Sequence, residues 1–286
     1  MDSKILEGEL QIVAYVTVSF LALLIYDWFI SLAQEVIRVW HSRWSVIKVL
    51  YLYTRYAPFV VLAIATQERT SSTCNYMTFT TIFAAVTIGI SDLILMLRTY
   101  SIYNKSRTIL FIFGLSWMVI SAVCIWAMIQ FTNSFSTDEG DESLSCFLSK
   151  ESKVVLICYF ALLGGECVIT LLTFWKTFDS YCRCGFHLGQ VVSMIYCEGL
   201  FYYFMILPLT IANVTVLLLG PAGFLALLDS PLTVMHSILC CRLVLHVREV
   251  SERNTDDEDE DDLLPTFVIV EAIEPYMSKQ LQQYYV

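Results

Sequence analysis

Seven apolar stretches run through this chain, and the loops between them are alternately basic and non-basic. A bilayer core of about 30 Å takes about 20 helical residues to cross. The stretches Leu10–Leu32, Ile47–Thr66, Tyr76–Leu97, Ile109–Gln130, Val154–Trp175, Met194–Leu219 and Ala222–Cys241 are each long enough. A backbone in lipid has to satisfy its own hydrogen bonds, which restricts it to helices or a closed barrel. The runs are continuous rather than alternating, and that selects helices. The expected fold is an all-α integral membrane protein with seven transmembrane helices. Only 15% of residues are charged, well below the quarter or so of a soluble domain.

The last two stretches form one apolar block from Met194 to Cys241, interrupted mainly by Pro208 and Gly220-Pro221. A block of that length holds a turn, and Gly220-Pro221 is the strongest breaker within it. Asn213 is the alternative place. Pro208 and Pro231 are expected to kink the sixth and seventh helices.

Orientation follows the Lys and Arg of short loops. Arg38, Arg43 and Lys48 lie in the first loop, Arg98, Lys105 and Arg107 around the third, and Lys176 and Arg183 in the fifth; Arg242, Arg248 and Arg253 follow the last stretch. The other side has Lys4, Arg69, Lys150 and Lys153, diluted by Asp138, Glu139, Asp141 and Glu142. The N-terminus is therefore expected outside and the C-terminus in the cytoplasm. The plasma membrane is the expected location, ahead of internal membranes. Asn104-Lys105-Ser106 fits a glycosylation pattern but falls on the cytoplasmic side.

The formal charge of −10 belongs to the tail, because residues 249–286 hold 11 acids against Arg253 and Lys279. Nothing in the body suggests a nucleic-acid partner. Residues 242–253 read as a short amphipathic helix on the inner leaflet, with Leu243, Val247 and Val250 towards lipid and Arg242, His246, Glu249 and Arg253 towards water. Residues 254–286 read as an acidic cytosolic tail. Its run Asp256–Asp262 repels itself and is expected to stay disordered. A solubilising role is the plain reading of that run, and docking to a basic cytosolic protein the alternative.

Ten cysteines are present. Cys74 and Cys146 fall in loops assigned to the oxidising side, where a disulfide between them is chemically permitted. Cys182-Arg183-Cys184 with His187 lacks a zinc spacing and a fourth ligand, so reduced thiols are the better reading. Cys240-Cys241 stands at the inner membrane edge, open to palmitoylation or to structural burial. No metal and no cofactor is expected.

Ionisable groups inside spans are costly and mark candidate sites. Asp27, Arg55 and Asp92 fall at one depth, so the first three spans can bring two carboxylates to one guanidinium, whose planar fork can take both. That cluster either locks three helices together or serves a conformational switch or polar pathway. Glu166, Glu198 and Asp229, with His236 as the one basic partner in the spans, form a candidate polar pathway. Gly164-Gly165 beside Glu166 permits close helix approach.

Several residues also carry a resemblance. Tyr26-Asp27, Glu35-Val36, Trp40, Ser45, Leu50-Tyr51 and Arg55-Tyr56 resemble the N-terminal domain of a basidiomycete fungal family of multi-pass membrane proteins, domain of unknown function 6533. Leu97-Arg98-Thr99-Tyr100, with Asn104 and Arg107, resembles that family's segment after its third span. The run from His236 through Cys240-Cys241-Arg242 to Arg248-Glu249 resembles its segment after the last. The resemblance implies seven helices and a fungal membrane location, and no activity. The placement of Cys74 and Cys146 gives a more distant likeness to G-protein-coupled receptors. Asp229-Ser230-Pro231 departs from the receptor pattern of Asn-Pro followed by Tyr, and no acid precedes Arg98.

An enzyme is the weakest reading, since there is no nucleotide loop, no Gly-x-Ser-x-Gly elbow and only four scattered histidines. The first expectation is a receptor-like or sensory seven-helix protein in the lipid bilayer, its ligand unspecified. The alternative is a proton- or cation-coupled transporter or channel that uses the intramembrane carboxylates.

Overall fold

The computed structural model describes residues 3–42, 44–68, 74–103, 106–135, 152–184 and 190–255. These residues form seven long helices and no strand: α1 (Ser3–Glu35), α2 (Val46–Glu68), α3 (Cys74–Ile102), α4 (Arg107–Phe135), α5 (Ser152–Cys184), α6 (Gln190–Leu219) and α7 (Asp229–Thr255). All seven contain a stretch long and apolar enough to cross a membrane, and the protein is a multi-pass membrane protein.

The arrangement is set by the least apolar of the seven. α7 carries Asp229, Ser230, Thr233, His236, Ser237, Arg242 and Arg248. Facing lipid, those groups would have neither water nor a protein partner, and each would be costly to strand there. The bundle encloses all of them but Arg242, which is half exposed: α7 packs against α1, α2, α3 and α6. Some 83% of its apolar window is buried, against 11–39% for the other six helices.

Three apolar clusters line the faces of α7. Val234 and Ile238 pack with Leu24, Val61 and Leu62. Leu239 and Leu243 join Leu95, Met96, Ile169, Tyr203 and Ile206. Cys240, Cys241, Val244 and Leu245 pack with Val39, Tyr51 and Ile94. Cys240 and Cys241 are both buried among these residues. α4 is the outlying helix and presents Phe111, Leu115, Met118 and Trp126 outward. It approaches α5 at Gly165, where a Cβ would come within 2.6 Å of Ile120 Cδ1. No neighbour meets Gly164 in the same way.

The turn between the last two helices falls at Gly220. The Gly220 amide donates to Val216 O at 2.8 Å. A Cβ there would lie 2.4 Å from the same carbonyl, so a side chain does not fit. The chain then makes a 3-10 turn at Ala222–Phe224, whose Gly223 amide donates to Glu9 on α1 at 3.1 Å.

Two expectations for the last helix need correction. It starts at Asp229 rather than Ala222. Pro231 consequently sits in its first turn, where a missing amide hydrogen has no intrahelical partner to lose, and it helps to start the helix instead of kinking it. Segment 242–253 is not a separate surface helix either, because α7 runs unbroken to Thr255. Leu243 and Val247 are buried in protein rather than turned to lipid. The reason is a π-helical turn at Val36–Trp40 that extends α1 and brings the first loop over this segment. Arg248 Nη1 donates to Arg38 O at 2.5 Å and to Ser42 Oγ at 3.0 Å, and Arg38 pairs with Glu249 at 3.3 Å.

Candidate functional site

Two buried polar clusters hang on α7. The first is built on the C-terminal half of α1, where Asp27, Ser31 and Glu35 recur at four-residue spacing and so share one helix face. Arg55 of α2 reaches across to all three. Its Nη1 donates to Asp27 Oδ2 at 2.7 Å, its Nε to Glu35 Oε2 at 3.2 Å, and its Nη2 to Ser31 Oγ. Arg55 and Glu35 are fully buried and Asp27 nearly so.

Glu35 Oε1 also accepts from Tyr56 OH at 2.7 Å and from Trp40 Nε1 at 3.1 Å. The Trp40 contact depends on the π turn, which brings the indole back to a residue five positions earlier. Arg242 of α7 closes the cluster from the other side, its Nε 2.7 Å from Asp27 Oδ1. Two carboxylates and two guanidinium groups leave it neutral. The geometry spreads donors over both acids, as a buried ion pair needs if attraction is to offset desolvation.

Asp92 is not part of this cluster, contrary to the expectation from depth. It faces His236 of α7, with His236 Nδ1 3.6 Å from Asp92 Oδ1. The other ring nitrogen, Nε2, lies 3.2 Å from Glu166 Oε1 on α5. Thr210 Oγ1 of α6 donates to that same Glu166 oxygen at 3.0 Å. Four helices therefore meet at one buried point. Position along a helix sets depth, but rotation about its axis decides which neighbour a side chain meets. α3 turns Asp92 towards α5 and α7.

Asp229 stands apart, in the first turn of α7, where the positive end of the helix dipole favours an acid. It accepts from Tyr159 OH of α5 at 2.5 Å. Asp92 and Asp229 both line a cleft of about 740 Å³ between α3, α4 and α5, along with Trp117, Ser121, Cys124 and Tyr159. The remaining walls are mostly aliphatic. Four of them, Ile82, Val86, Ile125 and Ile129, are 41–61% exposed, so the cleft opens sideways between α3 and α4.

Of the expected polar pathway, then, Glu166 and His236 come together and Asp229 lines the cleft. Glu198 lies on α6, with its side chain outside the described ones. Cys146, the side chain of Cys74, Asn104, the Cys182/Cys184/His187 side chains and residues 256–286 also lie outside the described residues, and with them the expected disulfide, the glycosylation check and the tail. Among the described residues, Cys124, Cys158, Cys167, Cys240 and Cys241 are free thiols. Sequence reasoning missed Glu35 and Arg242 as cluster members. Glu35 falls just past the expected end of the first span, and Arg242 had been assigned to a surface helix. The four-residue spacing of Asp27, Ser31 and Glu35 was the signal that could have found the former.

A family of unknown function, DUF6533, matches residues 15–60. The matched segment contains every member of the first cluster except Arg242. No curated protein and no solved structure matches the chain.

Removing one partner of this cluster strands the others. Arg55→Met is expected to lower stability by about 3–5 kcal/mol. Arg55→Met combined with Asp27→Asn and Glu35→Gln should recover a large part of that loss. Thermal unfolding of the detergent-solubilised chain compares the two, and equal melting temperatures would argue against a paired cluster.

Proposed function

We propose that this protein is a receptor-like, sensory seven-helix membrane protein whose cleft takes a membrane-dissolved amphiphile with a cationic head. The observation that carries the reading is the cleft of about 740 Å³ that opens between α3 and α4 and holds Asp92 and Asp229. Aliphatic walls suit an acyl or terpenoid body, and binding sites of this size are commonly apolar with a few polar groups that fix orientation. A carboxylate in low dielectric favours a positively charged partner. Entry through lipid needs no aqueous gate.

The path from the cleft to the other face of the bundle is α7 itself. Asp229 and His236 border or adjoin the cleft region, and Arg242 of the same helix pairs with Asp27 in the neutral cluster. A small rotation or shift of α7 would exchange contacts at both ends, which is a common form of helix signalling. The Lys and Arg bias supports an outside N-terminus and a cytoplasmic C-terminus at the plasma membrane. In that orientation the Arg242 end of α7 and the acidic run 256–262 face a basic cytosolic partner.

Binding of dodecylamine to the full chain in lipid nanodiscs tests the cleft, read by Trp117 fluorescence with Trp117→Phe as the signal control. Saturable binding is expected, weakened about tenfold or more by Asp229→Asn, the equivalent of 1.4 kcal/mol, and dodecanol should compete poorly. Non-saturable partitioning, or the same affinity in Asp229→Asn, would remove the reading. Orientation has its own check. Protease added to intact cells should cut a tag placed before Ser3 and spare one placed within 256–286; the opposite pattern would reverse it.

A further inference from the structure

His236, Glu166 and Asp92 present a problem that the first cluster does not have. Around Arg55, charges of both signs balance and every acid accepts aligned hydrogen bonds. Around His236 there are two carboxylates, one imidazole and, among the described residues, no fixed cation paired with them. His236 is fully buried and Glu166 and Asp92 nearly so. Both ring nitrogens of His236, together with Asp92 Oδ1 and Glu166 Oε2, have no hydrogen-bond partner. Four such atoms at one enclosed point run against the general rule that buried polar groups are satisfied.

The contacts are close but not aligned as hydrogen bonds. His236 Nε2 is 3.2 Å from Glu166 Oε1 and His236 Nδ1 is 3.6 Å from Asp92 Oδ1, yet neither ring nitrogen points its N–H at the carboxylate. An imidazole gives one nitrogen to an ion, so one of these contacts, His236 Nε2 to Glu166 Oε1 at 3.2 Å, has the separation of two ligands of one ion, and Asp92 joins the set by moving in from the other side of the ring. Ligand atoms held about 2.1 Å from a common ion stand about 3.0–3.4 Å apart over octahedral to tetrahedral angles. One ligand atom from each of the three residues lies within 4.8 Å of the other two. Closing the set takes a contraction of no more than about 1.8 Å.

We propose that Asp92, Glu166 and His236 bind a divalent first-row transition-metal ion of the zinc class. One neutral imidazole and two carboxylates suit such borderline ions. The charge argument points the same way. A divalent ion cancels both carboxylates, whereas a single proton on His236 leaves one negative charge in the bundle interior. Thr210 supplies the outer contact that holds a metal-binding carboxylate in place, donating to Glu166 at 3.0 Å. Asp92 is also a wall of the cleft. The coordination position left by three protein ligands therefore faces the cleft, where water or a ligand atom can reach it. The site stands whatever occupies the rest of the cleft. It carries no sequence motif, because its ligands come from three helices far apart in the chain.

The test uses the full chain in nanodiscs, treated with chelator and then dialysed against Zn²⁺ alone. One zinc per chain is expected, with a higher melting temperature than the chelated form, as follows when a ligand binds only the folded state. Asp92→Asn and Glu166→Gln should each bind zinc about 100-fold more weakly or worse and lose the thermal response. Cys182→Ser/Cys184→Ser, which removes the competing thiols at the end of α5, should keep both. Loss of the zinc in that thiol variant, or its retention in both carboxylate variants, would overturn the site. Chelated wild type that melts cooperatively but takes up no zinc would do the same. If both carboxylate variants fail to fold, Co²⁺ in the wild type decides. Strong visible d–d absorption of a low-coordinate nitrogen and oxygen site is expected, and the weak spectrum of the hydrated ion would refute the proposal.

Discussion

A polar helix inside a bilayer has to be wrapped in protein, and the rest of this structure depends on that constraint. α7 carries acids, hydroxyls, two histidines and two arginines along the length that crosses the membrane. Six more apolar helices can face lipid at little cost, because hydrocarbon tails and leucine side chains are equally apolar. The order of packing follows: α1, α2, α3 and α6 close on α7. α4, whose apolar window is only 11% buried, is left at the periphery.

Wrapping a charge does not neutralise it, and the two clusters on α7 meet that requirement differently. Around Arg55 the chain supplies its own counterions, from the C-terminal half of α1, with the π turn and the middle of α2 taking part. The match of residues 15–60 to a family of unknown function covers the same stretch. Around His236 no counterion is supplied among the described residues. Asp92 of that cluster also lines the cleft, while Glu166 and His236 lie enclosed behind it. One cluster is therefore complete as a structural lock, while the other is suited to an external partner.

The number of helices was legible because a bilayer imposes a length that hydrophobicity alone reports. The turn at Gly220-Pro221 was legible for a related reason: a block twice the bilayer thickness has to turn where its backbone permits. The Asp27–Arg55 contact could be anticipated from depth, but the partners of Asp92 could not. Depth is a one-dimensional coordinate, and the pairing of Asp92 with His236 rather than Arg55 depends on helix rotation, which only packing fixes. Leu243 and Val247 were misplaced because an amphipathic repeat looks the same whether its apolar side meets lipid or another helix. Arg242 is half exposed as expected, and what the repeat did not reveal is that its Nε also reaches Asp27.

The enclosure of α7 is open to a direct measurement. A carbene-generating photolabel dissolved in the bilayer marks side chains that meet lipid, and peptide mapping of the full chain locates the label. The account predicts heavy labelling of α4, at Phe111, Leu115, Met118 and Trp126, and next to none on α7 between Ser230 and Cys241. Comparable labelling of the two helices would contradict it.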